Sequence, residues 1–416
     1  MPLGVRHSVL HDWRRILEDV KSVNMKEKTE FPRPIYLKGG VRSPIGKFGG
    51  SLKRFNAPAL ATLALQECIR RSGGEAKADW VLLGHARQAG AAPNPARQAA
   101  VKAGLPETTP AITLNQACAS GMTAVFCACE KIALGRAEKI FAGGVESMSN
   151  TPYLLMDARW GQRLGHGKVI DGMYQDGFHC ALADMVMGET VERFIAAEQK
   201  ISREEQDAFA LASQKRAEDA WATGKFAREV FEIPGEGKNP GLKDDEHRRG
   251  STTLESLAKL PPVFDAKTGT VTAGNSSGIT DGAAFFCVSS DKSGAQAEIL
   301  GMHTVALDPK RMGIGPIAAI SELLKRHGLI PQDLEAVEIN EAFAAQVIAC
   351  NRVLKISDDK LNAWGGSIAI GHPIGASGAR ITVTLLNRLA GKPGALGVAS
   401  LCVSGGQGVA ILVRMV

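Results

Sequence analysis

The sequence predicts an α/β fold made of two related parallel-sheet units with a block inserted between them. A turn, helix and strand at residues 115–144 return in the same order at 371–406, each time with Ser-Gly opening the helix and Gly-Gly closing the strand. The 46 glycines in 416 residues exceed the usual share of about 7%, and such an excess suits tight strand-to-helix turns and close backbone approach to a ligand. With 44% hydrophobic and 22% charged residues, the chain can bury a large core, and this composition excludes a disordered or membrane-embedded protein.

Residues 1–30 carry six Lys/Arg against five Asp/Glu and no continuous apolar run, so they read as an N-terminal extension without a secretory signal. Residues 1–24, before Met25, are expected to be dispensable. Pro58 to Arg71 reads as a helix with proline at its start, and Ala111 to Leu114 as a short buried strand. Asn115-Gln116-Ala117-Cys118-Ala119-Ser120-Gly121 then leads into a helix rich in small residues, ending near Leu134, and Ile140-Phe141-Ala142 is an apolar strand before Gly143-Gly144. Residues 151–272 break this pattern. They hold glycine-rich and charged loops and one long helix, Ser202 to Thr223, opened by a Ser202-Arg203-Glu204-Glu205 capping box. The run Asp244 to Arg249 reads as a solvated loop. A helix following Gly371-His372-Pro373 and ending near Leu389, then the strand Leu396 to Leu401, complete the second unit. The division is 1–30, extension; 31–150 with 273–297, first half; 151–272, insert; 298–416, second half.

The net charge of +6 is spread along the chain with no run of five like charges, which argues against nucleic acid as a partner. Eight cysteines without a Cys-x-x-Cys pair suit a reducing compartment and argue against a zinc site. We therefore expect no metal and no membrane insertion. The expected location is the cytoplasm, or the mitochondrial matrix in a eukaryote.

Four strand-end segments could carry chemistry. Cys118 falls at the positive end of a helix, where a thiol pKa can be depressed, although a cysteine there also fits as a small buried hydrophobe. His372 lies among glycines and a proline that would present its imidazole at a helix start. Cys402 ends an apolar strand before Ser404-Gly405-Gly406, a turn able to aim backbone N–H groups at an oxyanion; it also fits as a core residue. Asn340 follows the strand Ala336 to Ile339 and reads as the cap of the next helix. Together they form a kit for acyl transfer.

The set Asn115-x-x-Cys118-x-Ser120-Gly121, Asn340-Glu341-Ala342-Phe343, Gly365-Gly366-x-x-Ala369-x-Gly371-His372-Pro373 and Cys402-x-x-Gly405-Gly406-x-Gly408 resembles the thiolase family, from about residue 33 to the end. The resemblance implies a five-layered αβαβα core of two related halves with an inserted loop domain, assembled as a homodimer or homotetramer. It implies coenzyme A thioesters as substrates, with coenzyme A entering and leaving and no permanently bound cofactor. By the same resemblance Cys118 takes the acyl group, His372 removes its proton, and Cys402 is base or acid at the α-carbon. Asn340, with a water and His372, holds one thioester oxygen, and the backbone N–H groups of Cys118 and Ser404 hold the other. Met187 and Met312 match acyl-pocket positions of short-chain members, and Phe264, Ala273, Ser277 and Phe343 match the pantetheine channel.

Two residues depart from the family pattern. Ser404 replaces a usual glycine and would be strained if the turn needs positive φ there, and Val186 stands where many short-chain members carry histidine. The expected reaction is condensation of two acetyl-CoA or cleavage of a 3-ketoacyl-CoA by coenzyme A. Alternatives are a medium- or long-chain 3-ketoacyl-CoA thiolase of β-oxidation, and a non-catalytic coenzyme A or lipid-binding protein. The latter would be expected to lack Cys118, His372 or Cys402. A decarboxylating ketoacyl synthase predicts a second histidine where Asn340 stands.

Overall fold

The computed structural model describes residues 29–237 and 241–416, so the expectation about residues 1–24 lies outside the described residues. The first half contains β1 (Tyr36–Arg42), α1 (Ala57–Arg71), β2 (Trp80–Gly84), α2 (Pro95–Lys102), β3 (Ala111–Leu114), α3 (Ser120–Ala133) and β4 (Lys139–Ser147). In the insert the long helix is α4 (Arg203–Ala222), and β5 (Thr280–Ser289) returns to the first sheet. The second half holds β6 (Ala297–Ala306), α5 (Gly315–Arg326), β7 (Ala336–Ile339), α6 (Ala344–Leu354), α7 (Ile374–Leu389), β8 (Leu396–Val403) and β9 (Gln407–Met415).

The strand order is β7-β8-β9-β6-β1-β5-β4-β2-β3, with the short strand Gly46–Lys47 also pairing with β5. In the first half β2 runs parallel to β4, which is antiparallel to β5, itself antiparallel to β1. The second half repeats this: β7 is parallel to β8, and β8, β9 and β6 follow antiparallel. The duplication is therefore present, but each sheet is mixed, not parallel, and two of the repeated signals fall elsewhere than expected: Gly143-Gly144 lies inside β4 and Ser377-Gly378 inside α7. β4 and β5 flank the insert and β8 and β9 flank a tight turn, so their pairing is antiparallel. Tyr36 and Leu37 of β1 pair with Glu298 and Ala297 of β6, which joins the halves edge to edge.

Apolar side chains of both sheets and of α3 and α7 share one core, while α1 and α2 cover the outer face of the first sheet and α5 and α6 that of the second. The result is five layers, αβαβα, with α3 and α7 in the middle. These two helices approach closely because glycine stands at the contact: a Cβ on Gly121 would lie 2.8 Å from the carbonyl oxygen of Gly375, and one on Gly144 2.1 Å from that oxygen.

The capping box at α4 is present, with Ser202 Oγ accepting from the N–H of Glu205 and the Glu205 carboxylate accepting from the N–H of Ser202. The charged run Asp244 to Arg249 is only in part the solvated loop expected, with Asp244 and Arg249 exposed at its ends. Asp245 is buried and receives both Nη atoms of Arg42, at 2.7 and 2.9 Å, the N–H of Ile45 and the indole N–H of Trp221. The Arg42 guanidinium, fully buried at the end of β1, needs these acceptors together with Glu229, so the core draws the loop in.

Candidate active site

Cys118 occupies a single helical turn, Ala117–Ala119, just before α3, and Ala117 before it takes φ +45°. A left-handed alanine costs about 1–2 kcal/mol, and the surrounding motif offsets it. Asn115 Oδ1 accepts from the N–H of Ala117 and its amide donates to the carbonyl of Ala86, while Ser120 Oγ donates to the carbonyl of Ala117 and accepts from the N–H of Gln116. The Asn-x-x-Cys-x-Ser spacing thus bends the chain so that the thiol faces the space between the halves.

His372 immediately precedes α7. Ser377, one turn into that helix, gives its hydroxyl hydrogen to the carbonyl of Pro373 at 2.9 Å, so its oxygen accepts from His372 Nδ1 at 2.6 Å. This leaves Nε2 as the lone-pair nitrogen. Burial, reinforced by Arg380 and Arg87, presses the imidazole pKa down to about 3, so the ring is neutral across the physiological range.

Cys402 ends β8 in the same space. In the turn that follows, the positive φ values fall on Gly405 and Gly406, and Ser404 is not left-handed, so serine there is unstrained. The backbone N–H groups of Ser404 and Cys118 are near enough to the Cys118 sulfur to favour its thiolate. Burial nevertheless pushes the Cys118 thiol up to about 11 against these donors and the Arg87 guanidinium, so the depressed pKa expected from the helix start is not found in the free site. Burial, and then the neighbouring Cys118, also raise the Cys402 thiol well above the ordinary thiol value.

Cys118, His372 and Cys402 line one cavity of about 280 Å³. Met187, Phe264, Ala273, Ser277, Met312 and Phe343 line the same cavity, as does Val186. Asn340 does not itself line this cavity; it touches the site through His372, its Nδ2 lying 3.4 Å from Nε2. It does not cap the next helix. α6 begins at Ala344, because the preceding segment is held extended against residues 275–277: Ala344 N–H bonds to Asn275 O and Ser277 N–H to Ala342 O.

Several residues given no role from sequence take part. Glu146 is fully buried, and its carboxylate accepts from the N–H groups of Ala86, Arg87 and Gly375, tying the Cys118 half to the His372 half. Burial opposes its ionisation, but His85, Arg87 and Gly375 outweigh it and hold the pKa low. Its only sequence signal was its place after Gly143-Gly144. Ser377, five residues after His372 at a helix start, could have been proposed from spacing alone.

The chain matches the thiolase N-terminal domain over residues 35–292 and the thiolase C-terminal domain over residues 294–415. It is 44% identical over 393 residues to the acetyl-CoA acetyltransferase of Cupriavidus necator, covering 91% of this chain and 99% of that protein. Among solved structures it is similar to the Bacillus anthracis acetyl-CoA acetyltransferase, with TM-score 0.89 and 40% identity over 93% of this chain and 100% of that one. Human mitochondrial 3-ketoacyl-CoA thiolase in complex with CoA superposes with TM-score 0.88 and 38% identity over 92% and 98% of the two chains. Five layers, two duplicated halves and matches that together span nearly all of the described chain lead to one conclusion: this chain belongs to the thiolase family.

Proposed function

We propose that the protein is an acetyl-CoA C-acyltransferase that joins two acetyl-CoA into acetoacetyl-CoA, or cleaves a 3-ketoacyl-CoA with coenzyme A, through an acyl group on Cys118. The observation that carries this reading is the convergence of Cys118, His372 and Cys402 on one largely apolar cavity. His372 Nε2 takes the Cys118 proton as the thiol attacks the thioester carbonyl, and passes it to the departing coenzyme A. The oxygen of the tetrahedral intermediate falls to the N–H groups of Cys118 and Ser404. Cys402 then removes the α-proton of a second acetyl-CoA, whose thioester oxygen is held by His372 and by Asn340 through a water. The new carbanion attacks the acetyl carbonyl, and the bond to Cys118 breaks. Thiolysis is the reverse.

Met187 and Met312 on the cavity wall support a short acyl chain, and the relatives named acetyl-CoA acetyltransferase agree. Phe264, Ala273, Ser277 and Phe343 are assigned to the pantetheine arm. Coenzyme A is substrate and product, with no resident cofactor. A homodimer or homotetramer follows from the family resemblance. A cytoplasmic location is supported by the bacterial relatives; among the described residues no helix is long and apolar enough to cross a membrane.

The test separates the two cysteines. Cys118→Ala should abolish both acetyl-enzyme and turnover. Cys402→Ala should still carry acetyl on Cys118 by mass spectrometry, yet lose about 10²–10⁴-fold in condensation, the usual size of a proton-transfer contribution. Acetyl found on Cys402, or near-normal turnover in Cys402→Ala, would sink the assignment. In the same assay acetoacetyl-CoA should be cleaved at least as well as a sixteen-carbon analogue.

A further inference from the structure

A buried file of polar groups leads from the middle layer to the back of His372. Arg380, on α7 and 1% exposed, donates from Nη2 to Ser367 Oγ at 2.5 Å, and Ser367 Oγ donates to Asn340 Oδ1 at 2.6 Å. Asn340 Nδ2 then faces His372 Nε2. Neither Ser367 nor Arg380 lines the cavity.

The direction of every bond in this file follows from its first member. A guanidinium has donors and no acceptor, so Ser367 Oγ must receive from Arg380, and its single hydrogen is left for Asn340. An asparagine amide can present either its oxygen or its NH₂ to a neighbour. Here the serine hydrogen claims the oxygen, and turning the amide over would set NH₂ against O–H. The other end agrees: Ser377 fixes the Nδ1 proton of His372, so Nε2 is an acceptor and also calls for the NH₂. Such a chain of like-directed bonds polarises each member in turn, and a buried cation at its origin strengthens the donor at its end.

We propose that Ser367 and Arg380 are positioning residues that lock the Asn340 amide with its NH₂ toward His372 Nε2, the side on which Asn340, with a water and His372, holds the oxygen of the second acetyl-CoA. This rests on the thiolase reading and adds to it the device that decides which end of Asn340 the substrate meets. With the amide reversed, a carbonyl lone pair would face the His372 Nε2 lone pair, and the donor to the bridging water would be lost. Removing an oxyanion donor outright costs about 10²–10³-fold in kcat; loosening one should cost about tenfold or more.

The two acyl steps use different oxygen sites, which makes the test selective. In Ser367→Ala, acetyl transfer from acetyl-CoA onto Cys118, which draws on the Cys118 and Ser404 N–H groups, should fall much less than condensation does. Deuterium exchange at the acetyl methyl in D₂O, and kcat for condensation, should fall about tenfold or more with KM little changed. Ser367→Thr, which restores the hydroxyl, should recover most of the loss, and Arg380→Lys, which keeps the charge and one donor, should lie between. Exchange within twofold of native in Ser367→Ala would overturn the proposal. So would a parallel loss of acetylation and exchange with a lowered Tm, which marks a purely structural role. If the native enzyme itself neither acetylates nor exchanges, the activity reading fails first and this proposal falls with it.

Discussion

Burial holds the Cys118 thiol protonated, with a pKa of about 11, so in the proposed mechanism activation comes from proton transfer to His372 during attack and not from a standing thiolate. Two pH consequences follow. Alkylation of Cys118 by iodoacetamide should be slow at pH 7 and climb through pH 9 to 11, because the thiolate gains population only as pH nears the raised pKa. A rate that levels off by pH 8 would show that the thiol ionises easily. His372, pressed to about 3, remains neutral and able to accept a proton well below pH 6. Loss of turnover between pH 7 and 5 should therefore not track its protonation.

At the scale of elements, the site depends on how closely α3 and α7 approach, since one begins beside Cys118 and the other beside His372. Ridges of ordinary side chains keep helix axes 8–10 Å apart. Gly121 against Gly375 allows a tighter contact of backbone with backbone. Gly121→Ala would place a methyl 2.8 Å from a main-chain oxygen that cannot rotate away, so the helices must separate. Overpacking of this kind usually costs about 1–3 kcal/mol. We expect a lower Tm and a larger proportional loss of acetylation, because separation moves the nucleophile from its base. A fully active Gly121→Ala with native Tm would show that the middle layer is more compliant than its geometry implies.

For the whole molecule, the insert is fastened to the core by buried charge. Arg42 on β1, Glu229 and Asp245 from the insert, Trp221 on α4 and Thr384 on α7 form one network closed to solvent. Breaking one partner of such a pair leaves a buried charge alone, typically at about 3–5 kcal/mol. Asp245→Ala should lower the urea midpoint accordingly. Because the insert supplies Met187 and Phe264 to the cavity wall, KM for acetoacetyl-CoA should rise with it. Unchanged stability would mean that Glu229 alone satisfies the guanidinium.

Local patterns in the sequence were sufficient wherever one segment decides its own conformation. The Asn115 to Gly121 turn, the capping box at Ser202, the strand ends carrying Cys118 and Cys402, and the Gly405-Gly406 turn all rest on residues within a few positions of each other. Where the deciding partner is distant along the chain, the sequence was silent or misleading. Asp245 looked solvated because nothing near it reveals that Arg42, 203 residues earlier, needs its carboxylate. Asn340 looked like a helix cap because its hold on Ser367 and the extended pairing of the next residues with 275–277 arise only once the halves fold together. The helix start at Cys118 suggested a lowered pKa, but that effect is local and modest, whereas desolvation depends on everything packed around the thiol. The chemistry of the residues was set by their order in the chain; their ionisation, the direction of their hydrogen bonds and the distance between the two helices were decided by burial, which only the assembled layers provide.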